Sequence, residues 1–207
     1  MNLVLASQSP RRRDLLTMLG VSFTQCAAEV DETVAQGVSL EDSVRQLAER
    51  KASAVAGRYS QDQIILAADT LVGLDDRLFG KPADDAEALS MLRSLAGRTH
   101  RVATGFCLRR GDEVYREVVC TQVTMMPADE ALFAAYIASG EPFGKAGAYA
   151  VQGRGAALIE AINGDFFNVV GLPVHALVRR LRQMDEMIFL QAFSRQLYGD
   201  VQYRNSD

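Results

Sequence analysis

The chain has 207 residues, 48% apolar and 23% charged, enough to bury a sizeable core in one domain or two joined lobes, and too apolar for a disordered chain. A formal charge of −4 speaks against broad electrostatic adhesion to nucleic acid, so any anion site must be built locally. No apolar run approaches the ~18 residues that cross a bilayer, and no charged segment leads into a long apolar one at the N-terminus, so a soluble, cytoplasmic protein with no membrane partner is expected.

Leu3 to Ala6 reads as a short buried strand running into Ser7-Gln8-Ser9-Pro10, where Ser9 can cap a helix that Pro10 opens and Gly20 ends. A second helix is expected from about Ser39 to Gly57, with Val44, Leu47, Ala48 and Val55 on one face. Ile64 to Ala68 is a continuous apolar run expected to be a central strand, and Leu71 to Phe79 folds back through Asp75-Asp76 as a hairpin, with Asp69 where the two join. Asp84 to Ala96 has helical spacing and stops at Gly97. Two long strands, Thr99 to Leu108 and Val114 to Met125, flank a turn at 109–113, and Pro127 opens a helix to Gly140. Phe143 to Gly155 is rich in glycine and small residues without a period, which suits a ligand-contacting loop. A strand is expected over Ala156 to Ile162, a turn at Asn163-Gly164-Asp165, and a helix from Pro173. Beyond Met184 the apolar residues Ile188, Phe189, Leu190, Phe193 and Leu197 suggest one more helical piece before a polar end. Helices alternating with strands and hairpins indicate an α/β fold with a mixed sheet.

Several residues can carry chemistry. In Ser7-Gln8-Ser9-Pro10-Arg11-Arg12 a strand ends where hydroxyls, free amides and two guanidiniums meet a helix N-terminus, an arrangement suited to phosphate and equally to ordinary capping. It is not a Walker loop, because the glycine run and the following Lys-Ser/Thr are missing. Asp69 ends an apolar run, where a carboxylate is costly unless it meets a cation or partner, so it can be a metal ligand or general base as well as a turn cap. Glu32 can offer a second hard oxygen ligand or be a solvated acid. Lys51 lies at helical spacing with the apolar stripe, either pointing into a cleft or snorkelling to a rim. Lys81 and Lys145 sit between turn residues as phosphate contacts or plain surface lysines, and Gln152 can read a base edge. His100 and His175 have no partner at metal or triad spacing and receive no catalytic role. Cys26, Cys107 and Cys120 are odd in number and far apart, which suggests neither a disulfide framework nor a zinc site.

Five segments in order resemble the Maf family of nucleoside triphosphate pyrophosphatases: Leu5-Ala6-Ser7-Gln8-Ser9-Pro10-Arg11-Arg12, Ala68-Asp69-Thr70, Gly80-Lys81-Pro82, Gly144 to Gly153, and Asn168-Val169-Val170-Gly171-Leu172-Pro173. The resemblance implies a mixed β-sheet flanked by helices, with two lobes around a central cleft, similar to the inosine triphosphate pyrophosphatase group. It places the catalytic domain over 1–184 and leaves 185–207 as a C-terminal extension, part helical. It implies hydrolysis between the alpha and beta phosphates with a divalent cation, Mg2+ or Mn2+. Carried over by position, Asp69 is the expected proton acceptor and, with Glu32, holds the cation. Arg12, Thr70 and Gln152 match positions associated with substrate choice, and Ser7, Ser9, Arg11, Lys51, Lys81 and Lys145 match phosphate or metal contacts. The run Lys145 to Gly153 resembles the branch acting on dTTP and UTP, with modified pyrimidine nucleotides and a restraint of cell division also associated with the family. Alternatives are a 7-methyl-GTP or inosine triphosphate pyrophosphatase and a non-catalytic nucleotide sensor; a homodimer is left open.

Overall fold

The computed structural model describes residues 3–35 and 37–190. Seven strands form one sheet: β1 (Leu3–Ala6), β2 (Thr24–Cys26), β3 (Ile64–Leu74), β4 (Arg77–Phe79), β5 (Thr99–Arg110), β6 (Glu113–Met125) and β7 (Ile159–Asn163). Their order is β2-β1-β3-β5-β6-β7, with β4 on the far end of β3. β1 runs parallel to both β2 and β3, whereas β3, β5, β6 and β7 are antiparallel neighbours, so the sheet is mixed as expected. The helices that cover it among the described residues are α1 (Pro10–Met18), α2 (Leu40–Ala56), α3 (Asp85–Leu95), α4 (Glu130–Ala138), α5 (Phe166–Val170) and α6 (Val174–Met184).

Strand alternation sorts the core. On β3 the even-numbered Ile64, Leu66 and Ala68 pack with Leu15, Leu16, Leu177 and Leu181 of α1 and α6, while Ile65 and Ala67 pack with Ala48, Ala52 and Val55 of α2. Farther along, Val72 and Leu74 enter a different cluster with Leu92 and Leu95 of α3 and Phe133 and Ile137 of α4. Fully burying each such side chain contributes about 1.5 to 3 kcal/mol, so two clusters at the two ends of the same strand make two lobes of one sheet. Asp69 and Thr70 lie between them.

Two glycines let α2 lie almost against the strands. A Cβ on Gly105 would sit 2.6 Å from the Val44 carbonyl oxygen, and one on Gly73 would sit 2.9 Å from Leu40 Cδ2. Gly105 is the register partner of Asp69, so this close approach of helix and sheet is beside that carboxylate.

The structure differs from the sequence expectations locally. β3 runs unbroken through Asp69, because pairing with β5 continues from Ile65 to Gly73. Ser9 stands at the N-cap of α1 with no side-chain capping bond, unlike Ser39, whose hydroxyl accepts from the Asp42 amide. A 3-10 turn over Gly153–Leu158 takes up the first three residues of the strand expected from Ala156, so β7 begins only at Ile159. β2 and α5 are too short to leave a periodic signal. In the C-terminal extension, residues 187–190 form a helical turn that buries Phe189 in the α1–α6 cluster; residues 191–207 lie outside the described residues.

Candidate active site

β1 pairs with β3 as far as Leu66, and β4 begins to pair on that same edge at Val72. Between them that edge of β3 has no strand partner among the described residues, and a cleft of about 440 Å³ opens there with access to both faces of the strand. The volume suits a small-molecule ligand of nucleotide size. Ser7, Ser9, Arg11, Arg12, Glu32, Lys51, Asp69, Thr70, Lys81, Lys145 and Gln152 all line it.

Because neighbouring strand residues face opposite ways, Asp69 and Thr70 divide the cleft. Asp69 faces α2. Lys51 occupies the apolar stripe Leu40, Val44, Leu47, Ala48, Lys51, Ala52 and Val55, so its ammonium is carried onto the sheet and not to the rim. It forms an ion pair with Asp69 Oδ1 and a second with Glu32 Oε1 at 2.7 Å. Side chains of Lys51 and Asp69 are only 8% and 9% exposed, so each ion depends on the other to offset desolvation. Lys81, across the rim, reaches Glu32 Oε2 at 3.2 Å. Burial works to raise the Glu32 carboxyl, but Lys51 and Lys81 outweigh it and hold it below the usual range.

Thr70 faces the other way, toward α1. Its hydroxyl meets Arg12 Nη2 at 3.0 Å and Thr104 Oγ1 at 2.9 Å. Arg12 is buried with Leu15 and Leu16; its Nε donates to the Gly171 carbonyl at 2.8 Å and its Nη1 to Ser7 Oγ at 3.3 Å. Burial lowers the pKa of this guanidinium, and the charge of Asp69 opposes the shift. Along the Thr70 face, Val72 and Val102, register partners on β3 and β5, continue into Val169 and Tyr149 as an apolar wall of the same cleft.

The segment 141–155 closes the mouth. Gly147 and Ala148 both adopt positive φ, +71° and +61°, and the Gly147 amide donates to the Gly80 carbonyl at 2.9 Å, tying this loop to the turn that carries Lys81. Lys145 donates from Nζ to the Glu141 carbonyl; burial and the neighbouring charge of Arg11 lower its pKa, against the raising effect of Glu141. Gln152 is exposed at the rim.

Three features without a role in the sequence reading support this wall. The Glu141 carboxylate accepts from the amides of Arg154 at 3.1 Å and Gly155 at 2.9 Å, fixing the backbone that follows Gln152. His100 Nε2 lies 2.6 Å from the Tyr149 hydroxyl, and burial lowers the His100 pKa to about 4. Asn168 is fully buried and bonds Thr104, Val102 and Thr121. Asn168 heads the Asn-Val-Val-Gly-Leu-Pro segment, but nothing local in the sequence tells that its amide reaches β5 and β6.

The model of the family described as Maf-like protein matches residues 2–184. A protein of Symbiobacterium thermophilum named dTTP/UTP pyrophosphatase is 48% identical over 187 residues, covering 90% of this chain and 96% of its own. One of Bacillus cereus with the same name is 45% identical over 183 residues, covering 88% and 95%. A solved structure of the Staphylococcus aureus Ham1 protein is similar over 59% of this chain and 71% of that one, with a TM-score of 0.38 and 14% identity, too remote to carry an argument. With a family model matching residues 2–184 and relatives 45–48% identical over 88–90% of its length, the chain belongs to the Maf family.

Proposed function

We propose that this protein is a nucleoside triphosphate pyrophosphatase that hydrolyses dTTP and UTP to the monophosphate and pyrophosphate. The observation that carries the reading is the convergence of Arg11, Arg12, Lys51, Lys81 and Lys145 with the carboxylates of Glu32 and Asp69 on one cleft that also has an apolar wall. A triphosphate needs the cations, a base needs the wall, and relatives 45–48% identical over 88–90% of this chain carry the name of that activity.

Asp69 acts as general base. It takes a proton from a water that attacks the alpha phosphorus in line, and the bond from that phosphorus to the bridging oxygen breaks as pyrophosphate leaves. Arg11, Lys81 and Lys145 offset charge developing on the phosphate oxygens, and Arg12, Thr70 and Gln152 meet the nucleoside.

The donor set fits a hard divalent cation. Glu32 and Asp69 already converge on one cationic atom, Lys51 Nζ, and Mg2+ is commonly bound through one or two carboxylates with water and substrate phosphates completing the shell. No group of three or more His, Cys, Asp or Glu side chains is placed to hold a metal among the described residues, so the protein supplies only this partial set. When bound, Mg2+ or Mn2+ would neutralise phosphate charge and polarise the attacking water.

Among the described residues no helix is long and apolar enough to cross a membrane. The test is pyrophosphate release from dTTP, UTP, CTP, 7-methyl-GTP and ITP, each with Mg2+, Mn2+ or a chelator. Metal-dependent cleavage of dTTP and UTP ahead of the others is the expected result. Preference for 7-methyl-GTP or ITP would move the protein to a purine activity, and stabilisation by nucleotide without any release would make it a sensor.

A further inference from the structure

Behind Thr70 the hydrogen bonds run in one direction only. Asn168, 0% exposed, donates from Nδ2 to the Val102 carbonyl at 2.9 Å and to Thr121 Oγ1 at 3.0 Å, which leaves Oδ1 to accept from the Thr104 amide at 3.1 Å. The Thr104 hydroxyl lies 2.8 Å from the backbone carbonyl of Asn168. A carbonyl only accepts, so the single hydroxyl proton of Thr104 is committed to it. The 2.9 Å contact between Thr104 and Thr70 hydroxyls then has one solution, with Thr70 as donor. Arg12 is a donor only and points its Nη2 at Thr70 from 3.0 Å. Thr70 therefore has its proton turned inward, and one lone pair remains for the cleft.

We propose that Thr104 and Asn168 are positioning residues that make the Thr70 hydroxyl an obligate acceptor, and that this polarity selects a base with an imide N–H. Thymine and uracil carry that donor at N3, whereas cytosine carries a lone pair there. A free threonine would rotate its hydroxyl to suit either base, so the discrimination resides in the buried partners and not in Thr70 alone. The location agrees with the chemistry. Val72 and Val102 flank Thr70 and Thr104 on the same face of β3 and β5, giving a flat apolar seat for a ring beside the hydroxyl, while the charged groups of Asp69 and Lys51 occupy the opposite face. A second acceptor facing a lone pair would leave both unsatisfied in a buried place, a strong basis for rejection.

The inference rests on the pyrimidine triphosphatase reading, and the two fail differently. Steady-state kcat and KM are measured for UTP, CTP and N3-methyl-UTP with wild type, Thr104→Val and Thr104→Ser, with melting temperatures alongside. Wild type should favour UTP over CTP and handle N3-methyl-UTP poorly. Thr104→Val keeps the shape, removes the inward acceptor and frees the Thr70 proton, so the UTP:CTP ratio of kcat/KM should fall by about tenfold, mostly through KM. The Asn168 carbonyl keeps the Gly171 amide at 3.1 Å as a partner, which favours a folded variant. Thr104→Ser should retain the ratio. A folded Thr104→Val with an unchanged ratio overturns the inference while leaving the activity in place, as does wild type cleaving N3-methyl-UTP as well as UTP, a result that needs no variant. Wild type releasing no pyrophosphate from UTP removes the functional reading and the inference with it.

Discussion

Replacing Gly105 by alanine tests whether the distance between α2 and the sheet controls the reaction. The added methyl would meet backbone and not a flexible side chain: Val44 O at 2.6 Å, Val44 C at 2.7 Å and Arg45 N at 2.9 Å. Ordinary contact begins near 3.4 Å, so the helix must retreat by about 0.8 Å or the strand must bend by as much. Overpacking of this kind costs about 1 to 3 kcal/mol, which should lower the denaturation midpoint without changing the slope of the transition. Activity should suffer more. Lys51 lies two turns farther along α2 and holds Asp69, the register partner of Gly105, together with Glu32. A misplacement near 1 Å in a catalytic constellation can cost about a hundredfold in rate. Urea unfolding and kcat are therefore measured on the same preparation. Gly105→Ala with wild-type midpoint and turnover would refute the reasoning, and loss of stability with unchanged kcat would mean that the α2 distance supports the fold alone.

Three further outcomes are expected. Asp69→Asn should retain nucleotide binding, measured by calorimetry, and lose at least about a hundredfold in kcat; near-normal turnover would remove Asp69 as the base. Glu141→Gln keeps the size of the side chain but turns an amide toward the Arg154 and Gly155 N–H groups, so KM should rise by about tenfold with a smaller change in kcat; a change in kcat alone would argue against a role in holding the loop. His100 is held neutral, its pKa lowered by burial from 6.5 to about 4. Below pH 6.5 the unfolded chain binds this proton and the folded one does not, so stability present above 6.5 is lost as pH falls toward 4, by about 3 kcal/mol from this group. The comparison with His100→Gln isolates it from carboxylates titrating in the same range, and parallel pH profiles for the two proteins would disprove the assignment.

Much of the site could be read from local pattern. Ser7 to Arg12 lies at the end of β1 and the start of α1, and Lys81 and Lys145 are on turns, as expected, whereas Asp69 lies within β3 and not at its end. Lys51 was legible only in part. Its spacing placed it on the apolar stripe, but whether such a lysine snorkels outward or is drawn inward depends on what faces the helix, and Asp69 and Glu32 face it here. Glu141 and Asn168 left no local signal at all, because their roles consist of bonds across 13 or more residues to backbone groups. Residues 156–158 belong to a 3-10 turn and not to the expected strand, because their small apolar side chains carry no period and the turn is set by Gly153 and Gly155, which wrap around Glu141 and Tyr136.

By itself the sequence determined what depends on neighbours along the chain: the alternation that makes strands, the 3.6-residue stripe of α2, its cap at Ser39, and the small set of acidic and basic residues able to handle a triphosphate. Tertiary structure decided what depends on distance across it. Pairing β1 and β4 on the same edge of β3 left a gap at Asp69 and Thr70, and strand parity then sent the carboxylate to α2 and the hydroxyl to Arg12 and Thr104. A side chain's direction follows from its own backbone, whereas the partner that receives it comes from another strand or helix, and hydrogen-bond polarity exists only once both are in place.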